Sequence, residues 1–143
     1  MIRRYYRVGP TIWTDHDWDE ETRYAAFYVL TCEHRTVEGL FRLPVSYAAH
    51  DLGWTTKRVL KAFAQLEADD FIEYDHDANV CLIVSALKWQ APKTTNHITA
   101  AVRALEALPA TRLTMRFGQL AAVHADALAH RMAHGMNDAT EAA

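Results

Sequence analysis

Between Leu43 and Ile72 the chain reads LPVSYAAHDLGWTTKRVLKAFAQLEADDFI, and this stretch restricts the fold more than any other. Its chemistry spells helix, tight turn, second helix, strand. Pro44 suits the first position of a helix, where its missing N–H costs nothing. Asp51-Leu52-Gly53-Trp54 ends that helix, with Gly53 free to take a positive φ. Thr55 or Thr56 caps the next helix through its hydroxyl. Val59, Phe63 and Leu66 then recur at i, i+4 and i+7 as a core stripe. Lys57 and Lys61 stand opposite that stripe, with Arg58 and Gln65 on its flank. A helix-turn-helix presents its second helix to the DNA major groove. The recognition helix is therefore expected from Thr55 to about Asp69, with Thr55, Thr56, Lys57, Arg58, Lys61 and Gln65 as DNA-contacting residues. Lysines suit phosphates, and Arg58 suits a bidentate contact to guanine.

The flanking segments complete a winged helix-turn-helix. Gly39 to Leu43 alternates apolar and polar as a short strand does. Phe71 to Tyr74 and Val80 to Val84 read as two strands joined by the polar Asp75-His76-Asp77-Ala78-Asn79, a hairpin wing. Upstream, a helix runs from about Asp19 to Thr31. Asp17 and Glu20 stand at capping-box spacing, and Tyr24, Phe27, Tyr28 and Leu30 form its apolar side. Downstream, Asn96 or Thr95 caps a helix from about His97 to Leu108, which Pro109 ends. A last helix runs from Thr111 to about His134, Gly135 stops it, and Asn137 to Ala143 is expected to fray. The fold class is mainly α (α+β), with residues 1–92 as a winged-helix domain and its N-terminal arm, and residues 93–143 as C-terminal helices.

Charge limits how such a domain meets DNA. A net charge of −3 argues against a strong nonspecific binder, yet the charge is segregated. Arg3, Arg4 and Arg7 cluster in the N-terminal arm, and Lys57, Arg58 and Lys61 cluster on the second helix. Acids gather in 15–21 and 67–77, and an acidic wing tip at Asp75 and Asp77 fits poorly against phosphates. The arm, with Tyr5 and Tyr6, either reaches a minor groove, through Arg3 and Arg4, or packs on the domain. Trp13, Trp18, Trp54 and Trp89 read as core or near-core residues, with Trp54 the most exposed.

Other chemistries find little footing. No apolar run approaches the roughly 20 residues that span a bilayer, and MIRRYYRVGP lacks an apolar signal core, so a cytoplasmic protein without a membrane partner is expected. Cys32 and Cys81 lie in apolar surroundings and read as buried, reduced thiols. Cys32 with His34 has no second pair to complete a zinc site, and His130 with His134 has no nearby Glu to complete a metalloprotease motif. The chain shows no Gly-rich phosphate loop and no catalytic constellation; no metal, no cofactor and no enzymatic activity are expected.

WTDHDWDEETRYAAFYVLTCEHRTVEGLFRLP, the helix pair ending LGW, FIEYD with its hairpin, and ALKWQAP occur in an order that resembles the N-terminal region of phage and prophage replication-initiation proteins. Those are related to the winged-helix domain of DnaD-type primosome proteins. The resemblance spans roughly Tyr5 to Pro109. It implies a winged helix that binds double-stranded DNA near a replication origin, or one that oligomerises and recruits a helicase loader. Thr55 to Lys61 and the wing tip Asp75 to Asn79 are the matching positions. Longer relatives continue into a second domain, where this chain has an Ala-rich helix, which points to a stand-alone regulator or short accessory factor. The alternative is a protein-interaction module on the same scaffold, docking on a replisome or host protein without DNA.

Leu113, Phe117, Leu120, His124 and Leu128 form one long stripe on the last helix. Part of it covers the domain, and the remainder is expected to bury itself against a second copy, making a homodimer.

Overall fold

A computed structural model of the protein describes residues 5–14 and 16–141, with side-chain surroundings as far as His134. The architecture is mainly helical, around a small three-stranded antiparallel sheet. Helix α1 (Glu20–Thr31) starts where the Asp19 carboxylate accepts from the Thr22 N–H at 2.7 Å, and Glu20 and Glu21 occupy its electropositive first turn. Asp19 holds the capping position expected of Asp17. Its buried stripe is Thr22, Ala25, Ala26, Val29 and Leu30, whereas Tyr24 is 58% exposed. The small side chains of that stripe let a neighbouring helix approach closely, and the aromatic rings are left to the flanks.

Strand β1 (Leu40–Arg42) leads into α2 (Val45–Leu52), which ends at Gly53 with φ +69. Helix α3 (Thr56–Ala68) comes next, its N-terminus capped by Thr55, whose hydroxyl accepts from the Arg58 N–H at 3.2 Å. Val59, Ala62, Phe63 and Leu66 are buried against α1 and α2. Strands β2 (Ile72–Asp75) and β3 (Val80–Ile83) form an antiparallel hairpin, and β1 pairs with the other edge of β3, giving the order β1-β3-β2. Asn79, at φ +58, closes the turn, and its carbonyl accepts from the Leu43 N–H at 2.8 Å.

All four residues of β3 are buried, so both faces of the sheet are covered. Alternation sends Cys81 and Ile83, with Phe41, Ile72 and Tyr74, into the core built with α1, α2 and α3. Val80 and Leu82, with Leu40, face a second core completed by the C-terminal helices. Those helices are α4 (Ala86–Trp89), α5 (Thr95–Glu106), α6 (Leu113–His124) and α7 (Asp126–Glu141). Thr94 caps α5 by accepting from the His97 N–H at 3.2 Å, one residue before the expected cap.

The single long helix expected over 111–134 is two. Ala125, at φ −147 and ψ 62, breaks it, and α7 folds back on α6 and α5 before running through Gly135. This break changes the surroundings of the stripe expected to meet a second copy. Leu113, Phe117 and Leu128 are each 0% exposed inside the second core, Leu120 packs at its margin, and His124 is exposed at the end of α6. The apolar stripe is used within one chain, against the outer face of the sheet.

Three polar contacts fasten α6 to β2. The Thr111 hydroxyl donates to Asp75 Oδ2 at 2.7 Å, Arg112 Nη2 donates to the Tyr74 carbonyl at 2.9 Å, and Arg116 Nε pairs with Glu73 at 2.9 Å. Asp75 Oδ1 also accepts from the Asp77 and Ala78 N–H groups, at 3.0 and 3.2 Å, which holds the hairpin turn. The Thr111 hydroxyl and these turn amides keep the Asp75 carboxyl below its usual range. A depressed folded value contributes stability above the unfolded value, about 3.9, that is lost as pH falls through the folded value. Asp75→Asn should therefore lower the urea midpoint at pH 7 and narrow its gap to wild type by about pH 3. A gap of equal size at both pH values would remove Asp75 from the acid transition.

Candidate nucleic-acid interface

The outward side of α3 is set by the stripe it buries. With Val59, Ala62, Phe63 and Leu66 inward, the helical period turns Lys57, Leu60, Lys61, Ala64 and Ala68 outward together, and all five are exposed. Thr55 and Thr56 are exposed at its N-terminus. Two lysines thus border a shallow surface of small and apolar side chains. Leu60, 41% exposed, and Ala64 were not singled out from sequence, although their i+3 and i+7 steps from Lys57 put them on the same face.

Arg58 is differently placed from Lys57 and Lys61. It lies on the flank facing α1, where its Nε pairs with Glu21 Oε1 at 2.8 Å and its guanidinium lies 4.4 Å from the centre of the Trp54 ring. Tyr24 stands beside that ring, with centroids 5.9 Å apart. Trp54, expected to be the most exposed tryptophan, is half-buried in this stack, while Trp13 and Trp89 are the exposed ones, at 61% and 59%. Trp18 is buried and donates from its indole N–H to Asp69. Gln65 reaches the same Asp69 at 3.5 Å. On the α1 side Asp19 is held below its usual range, chiefly by Thr22 and also by the Lys61 charge. Among the described residues, Lys57 and Lys61 form no direct ion pair.

The hairpin presents little beyond its turn. Asp75 is 5% exposed and engaged with α6, so of the two acids read at the tip only Asp77 stands in solvent, beside the exposed His76. The outer face of β2 and β3 packs against α6, and the turn residues His76 and Asp77 are the exposed ones of the hairpin.

Arg3 and Arg4 lie outside the described residues. The next part of the arm, Tyr6 and Arg7, packs on the domain. The Tyr6 hydroxyl donates to the Arg35 carbonyl at 2.6 Å, and Arg7 Nη1 donates to the Trp89 carbonyl at 3.1 Å. Cys32 and Cys81 are buried and unpaired with each other, and burial pushes both thiols up. Among the described residues no group of three or more His, Cys, Asp or Glu side chains is gathered as a metal site, and no helix is long and apolar enough to cross a membrane. No family model, curated protein or solved structure matches the chain.

Proposed function

We propose that α1 through β3 form a winged helix-turn-helix that binds double-stranded DNA through the outer face of α3. The observation that carries this reading is that face itself: Lys57 and Lys61 flank Leu60 and Ala64, all four exposed on one side of a capped helix. Lysines neutralise phosphates, small side chains let the helix enter a groove, and Leu60 suits a thymine methyl. Together with the order of motifs along the chain, this supports a role in replication initiation or its control in a phage or related mobile element. The protein acts in the cytoplasm as a binding protein, not an enzyme, and needs no cofactor.

Fluorescence anisotropy on a selected duplex tests the proposal. Lys57→Ala with Lys61→Ala should weaken binding and reduce the magnitude of the log–log salt slope by about 0.9 per lost phosphate contact. Arg58 adds a contact only after leaving Glu21, so Glu21→Gln should tighten binding and steepen the slope. An unchanged affinity in the double lysine variant would end the assignment of α3 as the DNA helix.

One observation favours a second reading. The Arg58–Glu21 pair and the coverage of the hairpin by α6 leave Lys57 and Lys61, among the described residues, as the charges of the α3 face without a direct ion pair. Such a surface suits a replisome or host protein as well as a phosphate backbone. Retention on heparin or calf-thymus DNA at ~50 mM salt separates the two, because a protein-docking module without phosphate contacts flows through.

A further inference from the structure

A second surface, remote in sequence from α3, is marked by the charge it lacks. All 18 acidic residues of the chain lie outside residues 1–14 and 78–105, although the net charge is −3. The fold brings these two acid-free stretches together. The Arg7 N–H donates to Gln90 Oε1 at 3.0 Å, Gln90 Nε2 donates to the Tyr5 carbonyl at 3.1 Å, and Arg7 Nη1 donates to the Trp89 carbonyl at 3.1 Å. The arm is thereby pinned along the end of α4. Arg7 and Lys88 are both exposed on the resulting seam, and neither forms an ion pair among the described residues. The acid that borders it, Glu38, is enclosed at 3% exposure and lies within reach of the buried Arg35 charge.

Two aromatic rings stand on the same seam. Tyr5 is 76% exposed and Trp89 is 59% exposed, so both forgo the free energy that burial of a large ring would contribute. Lys88 Nζ lies 5.0 Å from the centre of the Trp89 ring. The Arg7 guanidinium commits one N–H to the Trp89 carbonyl and carries four more for a ligand. Because the three hydrogen bonds fix the backbone under both rings, a ligand would not have to order that backbone on binding.

We infer that this seam binds single-stranded DNA, with bases stacked on Trp89 and Tyr5 and phosphates held by Arg7 and Lys88. Open rings interleaved with cations suit a single strand, because every base has a face to stack and the charges follow the backbone. A duplex keeps its base faces inside the stack and would leave both rings unused. An acidic peptide would use the cations but not the ring faces. The acid-free stretches let a phosphate backbone approach an otherwise acidic chain without meeting their own carboxylates. The inference does not depend on the reading of α3.

Fluorescence anisotropy with a labelled oligothymidylate of about 12 nucleotides tests the inference. An abasic strand of equal length keeps the phosphates and lacks the bases, so it should bind at least about tenfold more weakly. Trp89→Ala should weaken oligothymidylate binding about tenfold, and Trp89→Phe should keep most of it. Tyr5→Ala, which removes a ring from solvent rather than from a core, should weaken it too. Lys88→Gln should reduce the magnitude of the log–log salt slope by about 0.7. Trp89→Ala should leave duplex binding unchanged, and Lys57→Ala with Lys61→Ala should leave oligothymidylate binding unchanged, so failure at this seam and failure at α3 are told apart. Equal affinity for the abasic strand, undiminished affinity in both ring variants, or binding of phosphatidylglycerol vesicles in place of the oligonucleotide would each overturn the inference. Loss of oligothymidylate binding in the double lysine variant would do the same.

Discussion

Replacing Phe117 by Ala should destabilise the protein by about 3–5 kcal/mol, the usual cost of emptying a buried aromatic site. Phe117 is 0% exposed and sits in the core that α6 shares with Leu40, Val80 and Leu82 of the sheet. A domain of this size has on the order of 5–15 kcal/mol to lose. The urea midpoint should fall steeply with its slope unchanged, because the variant still folds as one unit but leaves a void that Leu113 and Leu128 fill only in part. The same substitution separates two uses of this face. Were Phe117 a contact between subunits, the loss would appear as a concentration-dependent change in mass with little change in the monomer's own unfolding. Sedimentation of wild type and variant beside the urea curves decides between them. A variant as stable as wild type, but with altered association, would return the α6 face to a dimer interface.

The reason this face was legible as apolar, but only in part as internal, lies in β3. Val80-Cys81-Leu82-Ile83 is a continuous apolar run, and such a run in a strand signals burial on both sides. Once both faces are buried, something must cover Leu40, Val80 and Leu82, and the stripe of α6 and α7 is the chain's own supply. The break at Ala125, between His124 and Asp126, carries neither a Gly nor a Pro signal, and its one mark is the acidic Asp126 in the first turn of α7.

Helix α3 was legible almost to the residue, because Gly53, Thr55 and the i, i+4, i+7 stripe each report on local backbone alone. The fate of Arg58 was not. Its partner Glu21 is 37 residues away, and a basic residue on a helix flank looks the same in sequence whether it faces solvent or an acidic neighbour. Arg35 is the same lesson inverted: charge suggests a surface position, yet stacking on Tyr6 and two backbone carbonyls hold it inside. In α1, alanines took the interface that the aromatics were expected to fill, because close helix approach rewards small side chains as much as hydrophobic ones.

Two glycines give the second large effect, through their contrast. Gly39 and Gly53 both hold positive φ, at +83 and +69, where a side chain costs roughly 1–2 kcal/mol. They differ in what a methyl group would meet. At Gly53 an added Cβ finds nothing within 4 Å, so Gly53→Ala should cost that backbone term and little more. At Gly39 the added Cβ would stand 2.4 Å from Ala86 Cβ, which cannot swing away because it is fixed directly to the backbone of α4. Overpacking adds about 1–3 kcal/mol, so Gly39→Ala should lose about 2–5 kcal/mol in all. The clash also strains the pairing beside it, where the Ile83 N–H donates to the Gly39 carbonyl at 2.8 Å. A double-mutant cycle isolates the contact: Ala86→Gly removes the opposing Cβ and should restore about 1–3 kcal/mol to Gly39→Ala, beyond its own cost in α4. Urea midpoints of the four proteins supply every term. If Gly39→Ala proves no worse than Gly53→Ala, or if Ala86→Gly gives no rescue, then residues 39 and 86 are not in contact and the junction of β1 with α4 must be drawn differently.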